Sequence, residues 1–95
     1  MPLRIRFSDE KNEILKATRG IGFDEIIDAI KNGDLLDDKQ NPSNTNNHQR
    51  IYVVKVGDYA YVVPYIVDLS KQHIFLKTVY PSRKFTKLYI KKGDR

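Results

Sequence analysis

Three features of this 95-residue sequence predict an α+β fold, with two N-terminal helices packed on a twisted antiparallel sheet and a short C-terminal helix. Helical patterning is confined to residues 8–32 and to the extreme C-terminus. The second half is a succession of β-branched and aromatic runs separated by turn residues. Helices and strands are therefore segregated along the chain, whereas a parallel α/β sheet would alternate them. The length suits one domain over residues 1–95, and no internal repeat, linker or low-complexity tail interrupts it.

Each element has its own signal. Leu3-Arg4-Ile5-Arg6-Phe7 alternates apolar and basic residues, the period of a half-buried strand. Ser8 or Asp9 can cap a helix whose first turn holds Asp9 and Glu10 against the dipole. This helix runs through Ile14, Leu15 and Ala17 to Arg19-Gly20, where Gly20 suits a left-handed cap. Phe23, Ile26, Ile27 and Ile30 then recur at i, i+3, i+4 and i+7, a core-facing stripe ended by Asn32-Gly33. Leu35-Leu36 forms a short strand, and the polar stretch 41–47 is an exposed loop. Ile51–Val56 and Tyr59–Val63 flank Gly57-Asp58 as a tight hairpin. Pro64, lacking an N–H, marks a bulge or an unpaired position. After Asp68–Gln72, a last strand runs from His73 to Tyr80 and stops at Pro81, and Phe85–Lys92 forms the C-terminal helix.

The net charge of +5 conceals an asymmetry. Residues 1–47 carry 7 basic and 9 acidic side chains, whereas residues 48–95 carry 10 and 3. All six tyrosines also fall in the basic half. That mixture describes a nucleic-acid surface, and it equally describes a solvated lysine face on a small sheet. Cysteine is absent, which excludes disulfides, thiolate metal sites and a cysteine nucleophile. No apolar run approaches the ~20 residues of a membrane-spanning helix, and Met1-Pro2-Leu3-Arg4 does not begin a signal peptide, so a cytoplasmic protein with no membrane partner is expected.

Cofactor chemistry has no footing in the motifs. His48 and His73 are the two histidines, and neither has the helical spacing of a metal pair. Gly20-Ile21-Gly22 lacks the third glycine of a dinucleotide loop. Metal-independent RNA cleavage remains feasible, because the 2′-hydroxyl of the RNA is itself the nucleophile. The protein must then neutralise the phosphate and move two protons. Arg83 and Lys84 follow the strand-ending Tyr80-Pro81-Ser82, where a rigid sheet can present them. Arg50 opens the first hairpin strand, where a charge can also serve only to deter edge-to-edge pairing. His48, Tyr80 and Lys77 are candidates for proton transfer, and Lys77, Lys87, Lys91 and Lys92 are candidates for RNA binding.

The residues Phe7-Ser8-Asp9, Lys11-Asn12, Arg19-Gly20-Ile21-Gly22-Phe23-Asp24-Glu25, Gln49-Arg50 and Tyr80-Pro81-Ser82-Arg83-Lys84-Phe85-Thr86 occur in this order. Together they resemble the BrnT family, small bacterial toxins of type II toxin–antitoxin modules. The Gly-Ile-x-Phe-Asp-Glu segment and the late Ser-Arg-Lys-x-Thr are the more specific parts of the likeness. The resemblance implies a RelE-like fold and ribonuclease activity that inhibits translation. It also implies a ribbon-helix-helix antitoxin, with promoter DNA bound only through the complex. In that family a basic residue before the second helix and the arginine of the late motif are tied to toxicity, which correspond to Arg19 and Arg83. Thr18-Arg19 stands where the family has a Lys-His pair. The competing readings are a non-catalytic RNA-binding module, or a protein-binding partner that uses a sheet edge.

Overall fold

A computed structural model describes residues 4–40 and 49–90. The loop expected over residues 41–47, together with His48, Lys91 and Lys92, lies outside the described residues. Strand β1 (Arg4–Phe7) leads into helix α1 (Asp9–Arg19) and helix α2 (Phe23–Lys31). Strands β2 (Leu35–Gln40), β3 (Gln49–Val56), β4 (Tyr59–Asp68), β5 (His73–Leu76) and β6 (Tyr80–Pro81) follow. The chain closes on α3, a short turn of helix (Arg83–Phe85) that continues as a π-helical turn over Thr86–Ile90. This is the α+β layout the sequence predicts. No helix among the described residues is long and apolar enough to cross a membrane.

The helix ends follow local chemistry. The Ser8 hydroxyl accepts from the Lys11 N–H at 3.2 Å. Gly20, at φ 73°, donates its N–H to the Lys16 carbonyl at 3.2 Å, a left-handed ending that a side chain would strain. At the start of α2 the Gly22 N–H is accepted by Glu25 Oε1 at 3.1 Å, and the Phe23 N–H by Asn12 Oδ1 at 2.7 Å. The first helix thus caps the second with a buried asparagine, locking the two into one unit.

The sheet runs β1-β5-β4-β3-β2, and β6 pairs β4 on the edge of β4 that faces β5. All neighbours are antiparallel except β1 and β5, which run parallel with Arg4 opposite His73 and Arg6 opposite Phe75. Gly57 sits at φ 65° while Asp58 keeps a negative φ, so the β3–β4 turn is type II′. Alternation then sorts the residues. Tyr52, Val54, Val63, Tyr65 and Leu76 face α1 and α2, joining Leu15, Ile21, Phe23 and Ile26 in the main core. Ile51, Val53, Ala60 and Val62 face the other way and form a second, smaller core with Phe85.

Four expectations need correction. The short strand at Leu35-Leu36 extends to Gln40, past a bulge between Leu35 and Asp37. Its acidic residues tolerate the sheet because each finds a tyrosine: Tyr89 donates to Asp37 and Tyr65 to Asp38. The strand expected over His73–Tyr80 breaks into β5 and β6. Pro64 accounts for the break. Its carbonyl accepts from the Lys77 N–H at 2.8 Å, so its ring nitrogen faces the same edge and has no hydrogen to return. The β3–β4 register passes through Pro64 without a bulge, so it occupies the unpaired position that was one of the two outcomes expected. Pro81, expected to end a strand, lies within β6 opposite Tyr61. The C-terminal helix begins at Arg83 instead of Phe85, because Ser82 Oγ accepts the Phe85 N–H at 3.1 Å and acts as its cap.

Candidate nucleic-acid interface

The six tyrosines do not form a surface. Tyr52 and Tyr65 stack with ring centroids 4.1 Å apart and are 9% and 3% exposed, so they are core residues. Tyr59 and Tyr61 meet edge-on, and Tyr89 lies against Phe85. Tyr80 alone of the six is exposed, in β6 opposite Val62.

Arg50 reaches onto the helix-covered face, where it meets Asp38 and Tyr65. Its Nε lies 3.3 Å from Asp38 Oδ1 and 3.1 Å from the Tyr65 hydroxyl, and Nη2 donates to the Asp38 carbonyl at 3.1 Å. The Tyr65 hydroxyl donates to Asp38 Oδ1. Burial, and then the Asp38 hydrogen bond, push the Tyr65 hydroxyl far above the usual phenol range. It stays protonated and cannot serve as a base near neutral pH. The hydrogen bond with Tyr65, and after it the hydrogen bond with Asp38, favours the Arg50 cation. The Arg50 side chain is 41% exposed, so part of its fork still meets an incoming anion.

The late motif divides into two halves. Ser82, Phe85 and Thr86 anchor: the Ser82 N–H donates to the Ala60 carbonyl at 3.0 Å, and Thr86 Oγ1 accepts the Ala60 N–H at 2.9 Å. Thr86 Oγ1 also donates to the Ser82 carbonyl at 2.7 Å, while Phe85 fills the second core. The clamp satisfies the free edge of β4 at Ala60 and fixes the turn. Arg83 and Lys84 are left exposed on it, with Lys87 exposed one turn later. Lys84 Nζ sits 5.8 Å from the Phe85 ring centre and Lys39 Nζ 5.3 Å.

These cations do not all meet. Ser82 is tied to Ala60, whereas Arg50 pairs with Tyr65, five residues and roughly 16 Å further along β4. Phe85 packs on one face of the sheet and Arg50 reaches over the other, so Arg83 and Arg50 form separate groups. Arg19 ends α1 in the helical layer, where its charge complements the dipole. Lys77 is exposed just beyond β5. Among the described residues no three His, Asp or Glu side chains are grouped to hold a metal ion.

A further basic group lies outside every residue singled out above as a candidate. Arg6, Phe7, Lys71, His73 and Phe75 line an open groove of about 400 Å³ at the β1–β5 edge. The alternation in Arg4-Ile5-Arg6-Phe7 already put both arginines on one side of a strand. That β1 would lie beside His73 and Phe75 depends on a parallel pairing that no local signal announces. Comparison of the chain with protein-family models, with curated proteins and with solved structures returned no match.

Proposed function

We propose that this protein is the toxin of a type II toxin–antitoxin module of the BrnT type, a cytoplasmic endoribonuclease that cleaves RNA without a metal and so inhibits translation. The observation that carries this reading is the division of the late motif, in which Ser82, Phe85 and Thr86 clamp a turn to Ala60 and hold Arg83 and Lys84 toward solvent. The ordered likeness to the family, on an α+β frame of two N-terminal helices and a mostly antiparallel sheet, supports it.

The chemistry follows from RNA itself. The 2′-hydroxyl attacks the adjacent phosphorus and loses its proton, the P–O5′ bond breaks, and the departing 5′-oxygen takes a proton. The products are a 2′,3′-cyclic phosphate and a 5′-hydroxyl. Arg83, with Lys84 beside it, stabilises the extra charge on the phosphoryl oxygens. Tyr80, exposed on the strand that leads into the turn, is the nearest described phenol in sequence to act on a proton. The partner is a ribbon-helix-helix antitoxin, and promoter DNA is bound only through that complex.

Purified protein incubated with RNA should yield cyclic-phosphate ends, and Arg83→Ala should abolish them while retaining its fold. Equal cleavage by the variant refutes the assignment. A second reading, a non-catalytic RNA- or protein-binding module, draws on the locking of Tyr65 and Arg50 into a network with Asp38 and on Arg19, which cannot give up a proton. It predicts salt-sensitive RNA binding without scission.

A further inference from the structure

We infer that the groove at the β1–β5 edge is a binding site for single-stranded RNA, with Arg4, Arg6 and Lys71 gripping phosphates and the rings of His73 and Phe75 receiving bases. This inference rests on the reading that the protein acts on RNA, and it adds a surface separate from Arg83.

The argument begins with register. In the parallel β1–β5 pair, Arg4 lies opposite His73 and Arg6 opposite Phe75, so all four occupy the sheet face turned away from α1 and α2. Both arginines are exposed. They stand two strand residues apart, roughly 6.6 Å, a step similar to that between successive phosphates of an extended strand. The second core, under Phe85, occupies a different part of this face, and neither core cluster includes Phe75 or its cross-strand neighbour Ile66. A half-exposed aromatic ring on an open sheet face, rimmed by guanidinium groups, is the arrangement that single-strand binders use: rings take the bases and cations take the backbone.

The groove is also held in shape. The β4–β5 turn carries Lys71 to its rim, and Asp68 builds that turn by accepting the Ser70 hydroxyl at 2.8 Å and the Lys71 N–H at 3.2 Å. Asp68 lies opposite His73 in the ladder, and its Oδ1 accepts both of these donors. Gln72 holds a left-handed φ of 55°, and its carbonyl accepts the Arg4 N–H at 3.3 Å, which ties β1 to the turn. An acidic peptide would satisfy the cations but gain nothing specific from the flat rings. That difference favours RNA.

The test is fluorescence anisotropy with a fluorescein-labelled single-stranded RNA of about 12 nucleotides, within the site sizes of such surfaces. Four proteins are compared: wild type, Phe75→Leu, the double variant Arg4→Ala/Arg6→Ala, and Arg83→Ala. Phe75→Leu keeps an apolar side chain but removes the stacking plane, and should weaken binding roughly 5- to 150-fold. The arginine pair is exposed and its loss should leave the fold intact. It should weaken binding and lower the salt-dependence slope by about 1.4, two phosphates' worth for a single strand. Unchanged affinity in both groove variants, while wild type binds and cleaves, overturns the groove and leaves the ribonuclease reading standing. RNA binding that needs the groove, without any cleavage, supports the groove and removes the ribonuclease reading. No RNA binding by wild type overturns both. Equal affinity of wild type for polyglutamate, together with indifference to Phe75→Leu, overturns RNA in favour of an acidic protein partner.

Discussion

Replacing Gly22 with alanine tests how the two helices are joined. Gly22 sits at φ −118°, ψ −179°, extended backbone that any residue adopts, so conformational freedom is not the reason for glycine here. Space is. A Cβ at this position would lie 2.4 Å from Asn12 Oδ1 and 2.9 Å from two carbons of Lys16. Lys16 is exposed and would shift with its ion pair to Asp24, but Asn12 is 6% exposed and its oxygen is held by the Phe23 N–H at 2.7 Å. Moving Asn12 removes the cap of α2 and leaves a buried N–H without an acceptor, at a cost of about 1–3 kcal/mol. Alanine offsets part of this by restricting the unfolded chain, by ~0.4–1 kcal/mol. The net expectation is a loss of about 1–2 kcal/mol, or a fall in Tm of roughly 4–16 °C for a domain of this size. Urea unfolding followed by circular dichroism measures it. The decisive arm is a double-mutant cycle with Asn12→Ala. If Gly22 only makes room for Asn12, then Gly22→Ala should cost almost nothing once Asn12 is alanine. Strict additivity of the two substitutions would refute the steric explanation.

Other outcomes follow from the same geometry. Thr86→Val keeps the shape but leaves the buried Ala60 N–H unpaired, so it should destabilise by about 1–3 kcal/mol. It should also reduce RNA cleavage by loosening the turn that carries Arg83. Arg83→Ala itself should stay within about 0.5 kcal/mol of wild type in stability, as an exposed side chain with no core role. The Tyr89 hydroxyl, and then the Asp38 N–H, hold the Asp37 carboxyl below its usual value of 3.8. A depressed carboxyl contributes stability that is present above its unfolded value and lost as pH falls through its folded one. Tm should therefore drop on acidification below about pH 4, and Tyr89→Phe should make that drop shallower. Thermal melts across the acid range compare the two proteins directly.

Signals that act within a few residues were legible. The stripe of Phe23, Ile26, Ile27 and Ile30 could only be a core face. Ser8 and Gly20 bounded α1 as their chemistry required, and Gly57-Asp58 fixed a two-residue turn. The α+β class, the helix pair and the hairpin all rest on such local rules, in which donor and acceptor are near neighbours in the chain.

The tertiary structure decided whatever depended on distant partners. The acidic end of β2 is a strand because Asp38 meets Tyr65, 27 positions away, and Asp37 meets Tyr89, 52 positions away. The last strand splits because Pro64 offers no hydrogen to the segment beside Lys77. The basic, tyrosine-rich half had suggested one aromatic surface, yet pairing turned Tyr52 and Tyr65 inward and brought Arg4 and Arg6 from the acidic half to His73 and Phe75. Composition states how much charge and aromatic area a chain carries. Strand order determines which side chains share a face, and that order is set by contacts between residues far apart in sequence.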